Sequence, residues 1–135
     1  VVEEVSKIIR ECDRSVIIDT HYPEILPPEI VDIVIVLRLH PRKLEERLWR
    51  KGWQWNKIRE NVLAEILSVV SINAIQRFGT NRVYEVDVTE KSVEEILETV
   101  IEIIEKRREF KTGLQIDWLT IISPEEISRY EKKEV

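Results

Sequence analysis

Ionisable side chains directly follow two short apolar runs, and their types and spacing could support chemistry. Residues 16–18 lead into Asp19 and His21, and residues 33–37 lead into Arg38. A carboxylate can hold a metal ion or its water, and a nearby imidazole can act as a general acid or base. Asp19 and His21 are two residues apart, so in an extended chain they face the same side. The structural alternative is an aspartate that caps a turn and a histidine on the surface.

Positive charge is concentrated between residues 38 and 59. This stretch holds eight basic and two acidic side chains, a net charge of +6, whereas the whole chain of 135 residues carries −5. Clustered guanidinium and ammonium groups favour a polyanionic ligand such as phosphate. The alternative is a solvated helix face stabilised by opposite charges one turn apart. The basic residues are Arg38, Arg42, Lys43, Arg47, Arg50, Lys51, Lys57 and Arg59.

Strands and helices alternate along the chain, which predicts an α/β domain with a mainly parallel sheet. Strands are predicted at residues 16–19, 33–38 and 83–87. Helices are predicted at residues 1–11, 41–51, 54–77 and 92–108, with a short one after Ser123. Ligands of such sheets bind outside the carboxyl ends of the strands. We therefore expect Asp19, His21 and Arg38 to line one crevice.

Apolar spacing and capping patterns define several of the predicted helices. Ser92 and Ser123 each open a capping box, because a glutamate follows each serine by three residues. The helix at 54–77 is expected to turn inward Trp55, Ile58, Val62, Ile66, Val69 and Val70. The helix at 92–108 is expected to turn inward Val93, Ile96, Leu97, Val100, Ile103 and Ile104.

The composition is that of a globular protein, with 43% apolar and 35% charged residues. The longest apolar run is five residues, far short of the roughly 20 that a membrane helix needs, so no membrane partner is expected. Cys12 is the only cysteine, which excludes an intramolecular disulfide and favours a reducing cytoplasm. Methionine is absent and Glu, Lys, Arg and Ile are plentiful, which resembles a thermophile's composition.

Three stretches resemble one known family: "VIIDTHYPEILPPEIVDIVIVLR", "LEERLWRKGW" and "KIRENVLAEIL". With the elements around them, they make residues 1–108 similar to the small adenylate kinases of the nuclear and archaeal type, isoenzyme 6. The resemblance implies the fold of a P-loop nucleoside monophosphate kinase and a reaction of ATP with AMP that requires Mg²⁺. It also implies similarity to ATPases that bind a ribosomal protein during assembly of the small ribosomal subunit.

The same resemblance implies roles for individual residues. Asp19 would match the Walker-B-like acid near the magnesium ion, and His21 the functional histidine. A lid would span residues 50 to about 60, Lys51 would contact ATP, and Lys91 would lie at a base-side nucleotide contact. Together with the basic residues noted above, the candidate set is Asp19 and His21 for catalysis, Asp19 for Mg²⁺, and Arg38, Arg47, Arg50, Lys51 and Lys91 for binding nucleotide or phosphate.

The family's glycine-rich loop, G-x-P-G-x-G-K-[ST], has no match in these residues, whose only glycines are at 52, 79 and 113. That loop supplies backbone N–H groups and a lysine to the nucleotide phosphates. We therefore expect residues 1–110 to match the C-terminal two-thirds of such a kinase domain. The expected fold is a parallel-sheet remnant with helices covering about three strands. Residues 111–135 would be a C-terminal extension with a short helix.

Two explanations of the missing loop stay open. Either the sequence begins late in a kinase, so that the chain as given is inactive, or it is a natural derivative that binds partners without catalysis. An unrelated α/β protein is a third and weaker alternative. Without the family's central strand, apolar helix surface would be exposed, so we expect an oligomer, most simply a twofold dimer. The other expected partners are ATP, AMP or another phosphate ligand, and a ribosomal protein.

Overall fold

A two-stranded parallel sheet connects the two halves of the chain in the computed structural model, which describes residues 1–131. β1 (Val34–Arg38) pairs with β2 (Val83–Asp87), from Val34 opposite Val83 to Arg38 opposite Asp87. β1 is apolar on both faces, as expected for a parallel strand between helices. The predicted α/β class and two of the predicted strands are confirmed.

Six α-helices accompany the sheet within residues 1–131. They are α1 (Val2–Glu11), α2 (Pro41–Arg50), α3 (Trp55–Ile66), α4 (Val69–Phe78), α5 (Val93–Ile104) and α6 (Pro124–Ser128). Short 3-10 turns occupy Pro23–Ile25, Pro28–Ile30, Thr80–Arg82 and Trp118–Thr120. Across this described part of the chain, every helix is too short or too polar to cross a membrane.

The serine half of both predicted capping boxes is confirmed. The hydroxyl of Ser92 accepts a hydrogen bond from the backbone N–H of Glu95, and that of Ser123 accepts one from the N–H of Glu126. Each bond satisfies one of the N–H groups that a helix start leaves without a partner. The starts of α5 and α6 are therefore encoded locally.

The strand predicted at residues 16–19 is wrong. Residues 12–22 form neither helix nor strand, and the side chain of Ile17 is 83% exposed. A strand needs a neighbour to take up its backbone hydrogen bonds. The only sheet in residues 1–131 is the pair β1 and β2, so the structure has two strands where about three were expected.

The single helix predicted at residues 54–77 is also wrong, because the chain breaks between α3 and α4. Ser68 has a left-handed backbone conformation, with φ of 58°. Its hydroxyl accepts a hydrogen bond from Arg38 Nη2 at 3.0 Å, a long-range contact that spacing cannot reveal. Beyond the break, Val69 and Val70 are exposed rather than inward, and Ala74 is buried in their place.

Helix α5 turns fewer residues inward than its spacing indicated. Ile96 and Ile103 pack on the sheet side, whereas Val93, Leu97 and Ile104 are 76%, 55% and 45% exposed. The apolar arc of the helix is wider than the surface that it contacts. The helix also ends at Ile104 rather than near residue 108, and Lys106 beyond it has a positive φ of 53°.

The buried side chains form three clusters. The first lies between the sheet and α4, and the third joins the ends of the strands to α5. The second fills the hairpin of α2 and α3, and it includes Ile122 and Tyr130 from the C-terminal segment. Much of the predicted extension at 111–135 thus packs against the rest of the protein, and its residues 132–135 lie outside the described residues.

Gly113 marks the point where the C-terminal segment returns to β2. Its φ is +81°, and its N–H donates to the carbonyl of Val83 at 2.7 Å. A Cβ here would lie 2.5 Å from Thr80 Cγ2. Gly113→Ala should therefore lower the free energy of unfolding by more than the roughly 1–2 kcal/mol that a left-handed conformation costs a residue with a side chain.

Urea denaturation of matched variants checks this expectation. Gly52 has a similar φ of +79°, but a Cβ there would meet nothing within 4 Å, so Gly52→Ala should show the backbone cost alone. Adding Thr80→Ser to Gly113→Ala removes Cγ2 and should recover the difference. Equal losses in the two glycine variants would contradict the proposed clash.

Candidate functional site

A cleft of about 220 Å³ beside α2 collects cationic side chains. Lys43, Arg47 and Arg50 follow one another at spacings of four and three residues, so they lie on one helix face. The cleft holds three cations and two carboxylates, which leaves a net positive charge. Its lining residues are Leu39, Lys43, Glu46, Arg47, Arg50 and Glu90.

Two of these cations have no acidic partner among the described residues. Lys43 Nζ lies 3.6 Å from a carboxylate oxygen of Glu46, but neither Arg47 nor Arg50 forms an ion pair within residues 1–131. Both arginines are exposed. The planar fork of a guanidinium matches the oxygens of a phosphate, so the cleft can bind an anion.

Arg38, a predicted phosphate ligand, lies in the core instead of the cleft. Its side chain is only 1% exposed, Nε donates to Glu65 Oε1 at 3.0 Å, and Nη1 pairs with Glu85. Nη2 donates to the carbonyl of Glu65 and to Ser68 Oγ. These contacts use the donors of Arg38 to hold β1 against α3 and β2.

Glu85 is the buried partner that completes this network. Burial by itself would raise the pKa of Glu85, but hydrogen bonds from Ser71 Oγ and from the N–H groups of Gln115 and Ile116, together with Arg38, outweigh it. The net pKa lies below the ordinary value for glutamate. Glu85 is therefore a charged carboxylate that joins β2 to the C-terminal segment.

Asp19 and His21 lie in the exposed loop between α1 and the first 3-10 turn, and they do not line the cleft. Within residues 1–131, no group of three or more His, Cys, Asp and Glu side chains could hold a metal ion. A single exposed carboxylate does not build a protein cage. It does fit a Mg²⁺ ion held largely by phosphate oxygens and water, as such ions commonly are.

The two candidate lysines are next in sequence to residues that line the cleft. Lys51 is the C-cap of α2, directly after Arg50, and Lys91 follows Glu90 shortly before α5. Both are exposed. The structure thus brings Arg47 and Arg50 into one cleft, with Lys51 and Lys91 next to its lining residues in sequence.

Three charged lining residues were not among the candidate site residues, although Lys43 belongs to the basic cluster seen in the sequence. The spacing of Lys43 from Arg47 and Arg50 could have indicated a shared helix face, and Glu46 lies one turn beyond Arg42 on the same helix. Glu90 had no such signal, because only the tertiary fold brings the end of β2 beside α2.

Aromatic side chains fill the other side of the α2–α3 hairpin. The rings of Trp49 and Trp55 are stacked with centroids 6.0 Å apart, and Tyr130 packs against Trp55 at 5.9 Å. The hydroxyl of Tyr130 donates to Glu45 at 2.6 Å. Burial and this carboxylate raise the pKa of Tyr130 to about 12. These contacts favour packing as the role of Trp49 and Trp55.

Comparison with known proteins identifies relatives, although no family model matches the chain. A protein of Pyrococcus abyssi named "Putative adenylate kinase" is 42% identical over 106 residues, which cover 78% of this chain and 56% of the relative. Proteins of the same name from Thermococcus onnurineus and Archaeoglobus fulgidus are 36% and 38% identical, over 87% and 89% of this chain. The chain is thus similar to proteins named as putative adenylate kinases. It spans 56% to 66% of the length of these three relatives.

The buried carboxylate of Glu85 predicts a pH dependence of stability. Because the folded pKa of Glu85 lies below its ordinary value of 4.5, its charge stabilises the fold above about pH 4.5, and this stabilisation is lost as the pH falls through the folded pKa. Glu85→Gln should be less stable at pH 7 by about 1–3 kcal/mol. Its free energy of unfolding should also fall less steeply on the acid side.

Urea unfolding between pH 7 and pH 3 measures both effects. Glu94→Gln is the matched control, since it removes one carboxylate from the exposed surface of α5. Parallel curves for the wild type and Glu85→Gln across the acid range would rule out this role for Glu85.

Proposed function

We propose that the chain is an adenylate kinase-like protein that binds nucleotide phosphate at the cleft beside α2. In this proposal it serves the reaction of ATP with AMP only together with a glycine-rich phosphate loop, which its 135 residues do not contain. The main support for this proposal is that Arg47 and Arg50 line one cleft and form no ion pair with an acidic residue among residues 1–131. The similarity to proteins named as adenylate kinases supports the assignment.

The charges of the cleft fit a phosphate ligand of modest affinity. Phosphoryl transfer depends on positioning and on stabilisation of charge rather than on covalent chemistry by the protein. Arg47 and Arg50 offer forked donors and Lys43 a point charge. Glu46 and Glu90 oppose an anion in the same cleft, so binding should be weak and sensitive to salt.

The remaining candidates keep the roles that the family resemblance implies, and of these Asp19 and His21 lie outside the cleft lining. Lys51 would contact ATP, and Lys91 would contact the base side of a nucleotide. Asp19 would hold Mg²⁺ together with nucleotide phosphates, and His21 would be the functional histidine beside it. Arg38 could reach a phosphate only by leaving its buried partners. Its role in this proposal is therefore to hold β1 against α3 and β2, and it does not bind phosphate.

A second candidate is a non-catalytic interaction protein, in the manner of the assembly ATPases that bind a ribosomal protein. The exposed apolar side chains of Val93, Leu97 and Ile104 on α5 favour it, since surface of this kind is commonly covered by a partner. A second copy of the chain, in a twofold dimer, is the simplest occupant. A ribosomal protein is the occupant that the family resemblance suggests, and a cytoplasmic location accords with either.

The polypeptide of these 135 residues should form no ADP from ATP and AMP in a coupled assay with Mg²⁺. The reason is that a glycine-rich loop supplies much of the positioning and charge stabilisation that the reaction needs. Light scattering on the same sample tests the proposed dimer, because a mass near 16.1 kDa that is stable on dilution would exclude it. Steady ADP formation that is lost in Asp19→Asn or His21→Ala would contradict the expected inactivity.

ATP should nevertheless bind weakly at low ionic strength, as measured by titration calorimetry. The heat should shrink steeply as salt rises, because the Debye length falls from about 30 Å at 0.01 M to about 10 Å at 0.1 M. Arg47→Ala combined with Arg50→Ala should abolish the heat. Lys7→Ala combined with Lys111→Ala removes the same charge from exposed positions outside the cleft. Equal heats from the two double variants would overturn the proposed site.

A further inference from the structure

We infer that the C-terminal segment, residues 113–131, is a clamp that fixes the α2–α3 hairpin against the sheet and thereby sets the geometry of the cationic cleft. The inference rests on the proposed phosphate site, which lies on α2. In this clamp, Tyr130 is a positioning residue. It contacts α2 and α3 and is not one of the residues that line the cleft.

The hairpin is connected to the sheet and α4 by two short joints. Before α2, the chain passes from β1 through Leu39 and His40, and after α3 it passes through Leu67 and Ser68. Ser68 has a left-handed conformation, so α3 and α4 do not form one continuous helix. Besides these joints, Arg38 of β1 bonds Glu65 near the end of α3, while the turn between α2 and α3 lies at the far end of the hairpin.

One end of the clamp is anchored at the sheet. The N–H groups of Gln115 and Ile116 donate to Glu85 Oε1 on β2, at 2.5 and 2.9 Å. Bonds from backbone N–H groups to a carboxylate are among the stronger hydrogen bonds in proteins, so this end is firmly attached. Between the two ends, the indole N–H of Trp118, which is 4% exposed, donates to Glu65 Oε1 of α3 at 3.2 Å.

The other end is anchored on the hairpin. Tyr130 is 2% exposed, its hydroxyl donates to Glu45 of α2, and its ring packs against Trp55 of α3. Ile122 is buried in the same α2–α3 cluster. One residue thus contacts both helices of the hairpin, and the segment joins them to the sheet.

Helix α2 carries the clamp contact and the cleft together. Glu45 accepts the hydrogen bond from Tyr130, whereas Arg47 and Arg50 line the cleft. The cleft is completed by Leu39 and Glu90, from the segments that follow β1 and β2. The spacing between the cations and the strand ends therefore depends on where α2 is held, and the clamp contributes to that position together with the bonds from Arg38 to Glu65.

Holding α2 in place before a ligand arrives should increase affinity. A ligand that must order a loosely held helix loses binding free energy to that ordering. Releasing the clamp should therefore raise the dissociation constant for ATP, although no atom that contacts the anion has changed.

Tyr130→Phe tests the clamp, because it keeps the ring and removes the hydrogen bond to Glu45. The dissociation constant for ATP should rise about two- to tenfold, the range expected for the loss of one hydrogen bond. Amide hydrogen exchange should become faster in residues 41–66 and stay unchanged in β2. Saturating ATP should restore slow exchange in the hairpin. Tyr22→Phe, at a position that is 64% exposed, is the matched control and should change neither quantity.

The possible outcomes separate the two proposals. Faster exchange confined to the hairpin of Tyr130→Phe, with no ATP heat even in the wild type, would support the mechanical clamp and overturn the phosphate site. ATP binding by both proteins with equal dissociation constants and equal exchange would overturn the clamp. Faster exchange in β2 as much as in the hairpin would show a general loss of stability, and that result would overturn the clamp as well.

Discussion

The guanidinium of Arg38, buried between Glu65 and Glu85, is the interaction on which the rest of the structure depends. It joins β1 to β2 and to α3, and it holds Ser68 at the break between α3 and α4. Taking such charges out of water is costly, and the arrangement is tolerated only when the remaining donors and acceptors are also satisfied. Here Ser71 and the backbone of residues 115–116 complete the shell of Glu85. The pairing therefore specifies which segments meet more than it adds net stability.

This buried network determines the position of an exposed site. Its acceptors bind the C-terminal segment, which reaches the α2–α3 hairpin, and that hairpin carries Arg47 and Arg50 of the cleft. Positive charge on the helix is thus supported by carboxylates in the core, through a segment that has little regular structure of its own. The cleft faces solvent where a ligand can reach it, while the groups that position it are buried where water cannot compete for their hydrogen bonds.

The two-stranded sheet leaves apolar surface uncovered. Residues 16–18 and one side of α5 are exposed in a chain that spans 56% to 66% of the length of three relatives. A parallel sheet is normally covered on both faces, and two strands offer too little surface for every apolar side chain of the helices around them. The exposed apolar side chains of α5 are the ones on which the partner-binding proposal rests.

The sequence by itself determined the features that depend on neighbours along the chain. The spans of β1 and β2, the start of α2 at Pro41, the turn at Gly52 and the caps at Ser92 and Ser123 all follow from spacing and from the conformational preferences of single residues. The clustering of positive charge between residues 38 and 59 was equally plain. Only the tertiary structure decided that Arg38 would pair with a carboxylate 47 residues away, that Ser68 would break a helix, and that residues 16–18 would find no strand to pair with. The physical reason is that a cap or a turn is satisfied within a few residues, whereas a buried charge or a strand edge is satisfied only by a distant segment.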